Sequence, residues 1–167
     1  RMSPGEGSID TRPVIRDAVP ADAARLAQID GLVSVPSGGR AGRFDLAFGG
    51  VGDSGRTPVC ERALVLEECG QVVAYLLYTL VIDEATINSI GVDPLAQGRG
   101  LGGQLLAAAL DRIRREGATR CLLEVRRGNR AARALYEGRG FTVDGVRKDY
   151  YPAAGGREDA VLMSRPL

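Results

Sequence analysis

The sequence predicts a mixed α/β (α+β) domain. Three observations predict it: apolar runs separated by turn residues up to residue 92, a change of period at Asp93-Pro94, and alternating helical and strand-like segments from there on. "RPVIRDAV" (12–19) reads as an opening strand, and in "ADAARLAQID" Ala23, Leu26, Ala27 and Asp30 recur near helical spacing. Regularity then stops. Residues 31–58 hold eight glycines with Pro36 and Pro58, which predicts a long glycine-rich loop with one helical turn around "RFDLAF". "RALVLEECGQVVAYLLYTLVIDEATINSIGVDP" carries three apolar runs joined at "ECGQ" and "DEA", rich in β-branched residues, as in an antiparallel meander. Beyond Pro94 come a helix in "LGGQLLAAALDRIRREG", with Leu101, Leu105, Ala109 and Ile113 on one face, and a strand in "ATRCLLEV". A helix in "NRAARALYEGRG" and strands in "FTVDGVRKDYY" and "EDAVLMSRPL" follow. Antiparallel strands feeding a helix-strand alternation make a mixed sheet with helices over its faces. The 167 residues fit one domain (1–167) with residues 1–11 as a flexible tail, and Arg1 ahead of Met2 reads as an addition to the natural start.

Composition narrows the chemistry. Hydrophobic residues make up 44% and charged residues 26%, ordinary globular values, and apolar runs such as 72–82 are too short to span a bilayer. Cys60, Cys69 and Cys121 match no metal-binding spacing and read as reduced, small apolar residues of a cytoplasmic protein. The chain has no histidine, so the commonest metal ligand and the usual base of serine and cysteine nucleophiles are both absent. Chemistry must run on carboxylates, tyrosine, arginine or backbone. Residues 97–148 hold twelve basic and five acidic side chains, a net of +7 that suits an anionic ligand or a solvated helix face. With five tyrosines, three phenylalanines and no basic-aromatic motif, direct nucleic-acid binding is not expected, and no membrane contact is expected either.

The stretch "DPLAQGRGLGGQLL" sets a glycine turn against the start of a helix, where backbone N–H groups and the helix dipole suit a pyrophosphate. Gly98 through Gly103 satisfy GxGxxG, and Glu124 follows about 20 residues on, as in a dinucleotide fold. Position in the chain speaks against that reading. Gly98 lies six residues after Val92 with Pro94 between, and about 40 residues after Glu124 cannot complete such a sheet. A purely structural turn is the bland alternative.

Counted from Gln97, the same letters give Q-x-x-G-x-G (Gln97, Gly100, Gly102), which resembles the coenzyme A pyrophosphate loop of the GNAT family of N-acetyltransferases. "IDEATINSIGVDPLAQGRGLGGQLL", "LLEVRRGNRAARALYEGRGF" and "RKDYYPAAGGREDAVLM" together resemble its ribosomal-protein-alanine type over roughly residues 60–167. The resemblance implies the GNAT fold, a mostly antiparallel mixed sheet whose two central strands splay into a V that holds acetyl-CoA and releases coenzyme A. It implies that the backbone of Ile90, Gly91 and Val92 pairs with the pantetheine arm. Gln97, Gly98, Arg99, Gly100, Leu101, Gly102 and Gly103 would hold the pyrophosphate, with Asn129 also on the cofactor. A splayed strand leaves unpaired N–H and C=O groups that ligand amides can satisfy.

Glu124 and Tyr136 are the catalytic candidates. In "CLLEV" alternation puts Cys121, Leu123 and Val125 on one face and Glu124 on the other, so a carboxylate projects from an apolar strand; it is either a general base or an ion-pair partner of Arg126 or Arg127. Asn129 is a good helix N-cap, and Tyr136 falls seven residues on, along the same face, as a general acid or a core aromatic. The resemblance favours the catalytic roles and implies direct attack of a free amine on the thioester. It further implies that the partner is a protein N-terminal peptide, the alanine end of ribosomal small-subunit protein eighteen, with Tyr150, Tyr151 and Arg157 lining the peptide end of the V. The family's aromatic-proline segment after the first helix is replaced here by "LVSVPSGGRAGRFDLAFGGVGDSG". A small amine or a lysine as acceptor, or a non-catalytic acyl-CoA-binding module, are the alternatives at this point.

Overall fold

The computed structural model describes residues 11–33 and 61–167. The expected helical turn around "RFDLAF", nearly all of the expected 31–58 loop, Cys60 and the tail up to residue 10 lie outside the described residues. Seven strands form one sheet in the order β1-β2-β3-β4-β5-β7-β6. They are β1 (Val14–Asp17), β2 (Glu61–Glu68), β3 (Gln71–Val81), β4 (Glu84–Val92), β5 (Arg120–Arg126), β6 (Thr142–Ala153) and β7 (Gly156–Pro166). Among the described residues three α-helices accompany them: α1 (Ala23–Val33), α2 (Leu101–Arg115) and α3 (Arg130–Glu137). The expected meander is β2-β3-β4, and only β4 and β5 pair in parallel. α1 runs on through Gly31 to Val33, so the loop does not begin at residue 31 as the glycine content suggested.

Two core layers sandwich the sheet. On one side Leu26 and Ile29 of α1 pack with Ala63, Val65, Val72, Tyr75 and Leu77. On the other, the apolar stripe of α2, with Leu101, Leu105, Ala109 and Ile113 as expected, packs with Leu64, Leu66, Leu76, Ile87, Leu123 and Tyr136 of α3. Central strand β3 is therefore buried on both faces from Ala74 to Tyr78, whereas edge strand β6 is exposed along most of its length. Arg112, Arg114 and Arg115 in the last turn of α2 complement its dipole.

The V arises between β4 and β5. Their register runs from Glu84 opposite Arg120 to Ile87 opposite Leu123 and stops there. At that point Tyr78 of β3 faces Ile87 while Leu77 faces Ser89, so Asn88 is an extra residue in β4. Such a bulge bends a strand and ends its pairing on one side. β4 continues to Val92 on β3 alone.

Candidate active site

The cleft opened by the splay is a cavity of about 650 Å³. Its floor on the β4 side comprises Ile87 to Val92, its end the glycine turn, and its far side Glu124 to Arg126 with Tyr151. Asn129, Ala132, Leu135 and Tyr136 of the α3 region complete it. A second concavity of about 830 Å³ lies beside α1, but its charges are already matched: Arg16 with Asp22 and Arg25 with Asp93. Among the described residues no helix is long and apolar enough to cross a membrane.

The glycine turn is built from Asp93 onward. Asp93 Oδ1 accepts from Leu95 N–H at 2.9 Å and starts a single 3-10 turn, Pro94–Ala96, that leads into the glycines. Gly98 and Gly100 adopt left-handed φ angles of 77° and 76°, which a side chain would strain. The first backbone bond of α2 runs from Gln104 N–H to Gly100 O, so the preceding first-turn N–H groups have no acceptor within the helix. Leu101, Gly102 and Gly103 bring that positive helix end to the cavity. A Cβ on Gly102 would already touch Val92 Cγ2 at 3.4 Å, so small residues let the helix sit close on β4.

These features fit coenzyme A. A strand edge without a neighbour beyond Ile87 offers amide partners to an extended arm, and the turn offers donors to a pyrophosphate. Ile90, Gly91, Val92, Gln97, Gly98, Gly100, Leu101, Gly102, Gly103 and Asn129 all line the cavity. Two of the expected cofactor residues act otherwise than as ligands through their side chains. Gln97 Nε2 donates to Val92 O at 3.0 Å, bracing the turn and engaging that carbonyl. Arg99 does not line the cavity; its guanidinium grips Glu68 through two bonds of 2.7 and 2.8 Å. Asn129 is the N-cap expected of it, with Oδ1 accepting from Ala132 N–H at 3.1 Å.

Glu124 and Tyr136 both line the cavity but reach it from opposite faces of the sheet. Cys121, Leu123 and Val125 point into the core beneath α2 with Tyr136, and Glu124 alternates to the α1 side. Its ion-pair partner is neither Arg126 nor Arg127 but Arg147 of β6, at 3.4 Å. Tyr136 is 5% exposed, and burial raises its phenol above the ordinary tyrosine range, with Tyr151 and Cys121 adding to the effect. It therefore carries its proton at neutral pH. Burial also pushes the Cys121 thiol up to about 12, which leaves it an inert core residue.

The expected substrate residues divide. Tyr151 lines the cavity with the Arg126 guanidinium 4.5 Å from its ring centre. Tyr150 and Arg157 do not line it. Tyr150 stacks edge-on against Tyr151, and Arg157 donates to the backbone oxygens of Asp149 and Tyr150 at 2.7 and 3.3 Å. Arg157 thus holds an irregular stretch of β6 in which three residues lie opposite the single Asp159, between Arg147 facing Ala160 and Tyr151 facing Glu158. Glu158 accepts from Gly128 N–H at 2.7 Å, and Asp159 from Arg127 at 3.1 Å, so "GRED" anchors the turn that presents Asn129. Asn88 and Ser89 line the cavity without having been expected there, Arg126 lines it although it was read only as an ion-pair partner, and Arg147 reaches Glu124 from outside the cavity lining. Arg126 had a signal, its place two residues after Glu124 on one strand face.

The family model of the acetyltransferase (GNAT) family matches residues 50–141. The [Ribosomal protein bS18]-alanine N-acetyltransferase of Escherichia coli K12 is 43% identical over 102 residues, covering 61% of this chain and 69% of that one. The crystal structure of the ribosomal-protein-S18-alanine N-acetyltransferase from Escherichia coli aligns with a TM-score of 0.76 at 31% identity, over 93% of this chain and 94% of that one. A Salmonella typhimurium protein solved with its cofactor acetyl-CoA aligns at a TM-score of 0.73 and 25% identity, over 93% and 94% of the two chains. A splayed sheet, a glycine turn at a helix start and these likenesses agree: the chain belongs to the GNAT acetyltransferase family and is an acetyl-CoA-dependent N-acetyltransferase.

Proposed function

We propose that this chain acetylates the α-amino group at a protein N-terminus, the alanine end of ribosomal protein bS18, with Glu124 as general base and Tyr136 as general acid. One observation carries the reading: a carboxylate and a phenol, side chains able to take and give a proton, line the cleft from opposite faces of the sheet, where β4 and β5 part. Acetyl-CoA supplies the thioester carbonyl that an amine attacks. Glu124 takes the proton that the amine loses. Tyr136, whose hydroxyl has no hydrogen-bond partner among the described residues, holds a proton for the departing sulfur. A thiol, at about 8.5, is more acidic than a phenol, so Tyr136 acts by donating its hydrogen bond to the sulfur and yields the proton only as charge builds there. An α-amino group, at roughly 7.7 to 8.0, is partly neutral at physiological pH and needs less help than a lysine at about 10.4.

The name of the 43% identical relative supports the acceptor. The test is thiol release from acetyl-CoA with the bS18 N-terminal peptide, an internal-lysine peptide and free small amines. The alanine-initiated peptide is expected to give the highest kcat/KM. A higher value for either other class would replace the acceptor, and a Glu124→Gln variant with unchanged turnover would remove the assigned base.

A further inference from the structure

We infer that Ser89 is a second acceptor for the substrate's amino group, held in that role by Tyr75 and Asp30. This rests on the reading of Glu124 as the base. Simple alternation along β4 would send Ser89 to the α2 side, since Ala85 and Ile87 both lie in that core. The bulge at Asn88 reverses this. Ser89 faces Leu77, and Gly91 faces Tyr75, both partners being in the α1-side core. Ser89 thereby projects from the same face of the sheet as Glu124, and both line the cleft. The bulge that ends the pairing with β5 also turns a hydroxyl toward the base.

The hydroxyl is oriented from behind. Tyr75 is fully buried against Gly91, where a Cβ would come 2.5 Å from Tyr75 Cε1. This seat puts the Tyr75 hydroxyl 2.6 Å from Asp30 Oδ1, to which it donates, and 3.0 Å from Ser89 Oγ. A phenol has one proton, so the Ser89 hydroxyl is the donor in the second contact. The Ser89 oxygen then has only lone pairs to offer the cleft. A chain of hydrogen bonds ending on a carboxylate polarises every member in one sense and makes that oxygen a better acceptor. It suits the N–H of an amine or ammonium and repels a carbonyl oxygen. As the N–C bond forms and the C–S bond breaks, Glu124 takes the proton the nitrogen loses and Tyr136 supplies the one the sulfur gains. Ser89 keeps its own proton and holds a second N–H throughout.

Steady-state kinetics with the alanine-initiated peptide and acetyl-CoA varied separately test this. Ser89→Ala and Tyr75→Phe are each expected to raise the peptide KM about tenfold while the acetyl-CoA KM stays put. Ser89→Thr, which keeps the hydroxyl, should remain within about twofold of the parent. The Ser89→Ala/Tyr75→Phe double variant should be no worse than Ser89→Ala, because one chain is broken twice. If Tyr75→Phe does not fold, the Ala and Thr variants at Ser89 carry the test. An unchanged peptide KM in Ser89→Ala, or an equal rise in both KM values, overturns the inference. Glu124→Gln, assayed alongside, separates the two readings. Loss of turnover there with no peptide effect in Ser89→Ala defeats the Ser89 assignment alone, whereas full turnover in Glu124→Gln defeats the reading of the site itself.

Discussion

The two walls of the cleft are made of different material. Apart from Ser89, the wall formed by β4 and the glycine turn works through backbone: a strand edge freed by one bulge, two left-handed glycines and the first N–H groups of α2. The wall formed by β5 with β6 and β7 is side chain: Glu124 against Arg147, Arg126 over Tyr151, and Glu158 and Asp159 fastening the turn before α3. A backbone wall binds what is common to every substrate, because N–H and C=O groups are present whatever the sequence. On the proposed reading the side-chain wall supplies the base and, with Ser89 facing it from β4, meets the acceptor, and single substitutions should divide along the same line.

The largest effect belongs to the two proposed proton-transfer residues, Glu124 on the side-chain wall and Tyr136 of α3. Glu124→Gln and Tyr136→Phe are each expected to lower kcat by about 10²–10⁴, the usual worth of a positioned acid or base, with acetyl-CoA affinity nearly unchanged when measured by calorimetry. A parallel loss of acetyl-CoA affinity would erase the division between the walls. On the backbone wall the sharpest expected effect is on stability. Gly91→Ala puts a Cβ 2.5 Å from Tyr75 Cε1, inside a buried ring with nowhere to go, and should cost about 1–3 kcal/mol in denaturant unfolding. Gly100→Ala meets no neighbour within 4 Å and differs only in its left-handed φ. A strain of roughly 1–2 kcal/mol there should raise the acetyl-CoA KM by about tenfold and leave the peptide KM alone.

The backbone wall was also the more legible one. Its parts are local in sequence: a strand ending at Asp93-Pro94, a spaced set of glycines and an apolar helix carried the family resemblance, and of the eleven residues it implied at the cofactor ten line the cavity, all but Arg99, with Gln97 also bracing the turn. Glu124 and Tyr136 were legible for the same reason, since simple strand alternation and helix spacing decide their faces. Bulges erase that signal. Ser89 was hidden because one extra residue at Asn88 inverts its face, and Arg147 because one extra residue at Asp144 inverts the faces of β6 from Gly145 on. Tyr150 and Arg157 do not line the cavity for a like cause: the three residues opposite Asp159 turn Tyr150 outward, and Arg157 is spent on backbone oxygens there.

Arg147 offers the finest probe of the comparison. Its guanidinium lies 3.4 Å from Glu124, with the two side chains 53% and 31% exposed, so the pair is screened by water and weak. It also lies 5.5 Å from the Tyr150 ring centre, a second contact that leaves the arginine exposed. A protonated amino group approaching Glu124 must compete with this resident cation. Removing the cation by Arg147→Ala should therefore lower the peptide KM, and because an exposed pair is worth about 0–1 kcal/mol, by no more than about fivefold. The gain should shrink as salt is raised, since screening already weakens the pair in the parent enzyme. Peptide KM measured at low and high ionic strength checks both points. A rise in KM on Arg147→Ala would mean that the arginine serves the acceptor peptide directly, and the side-chain wall would then extend from β5 out to the edge strand.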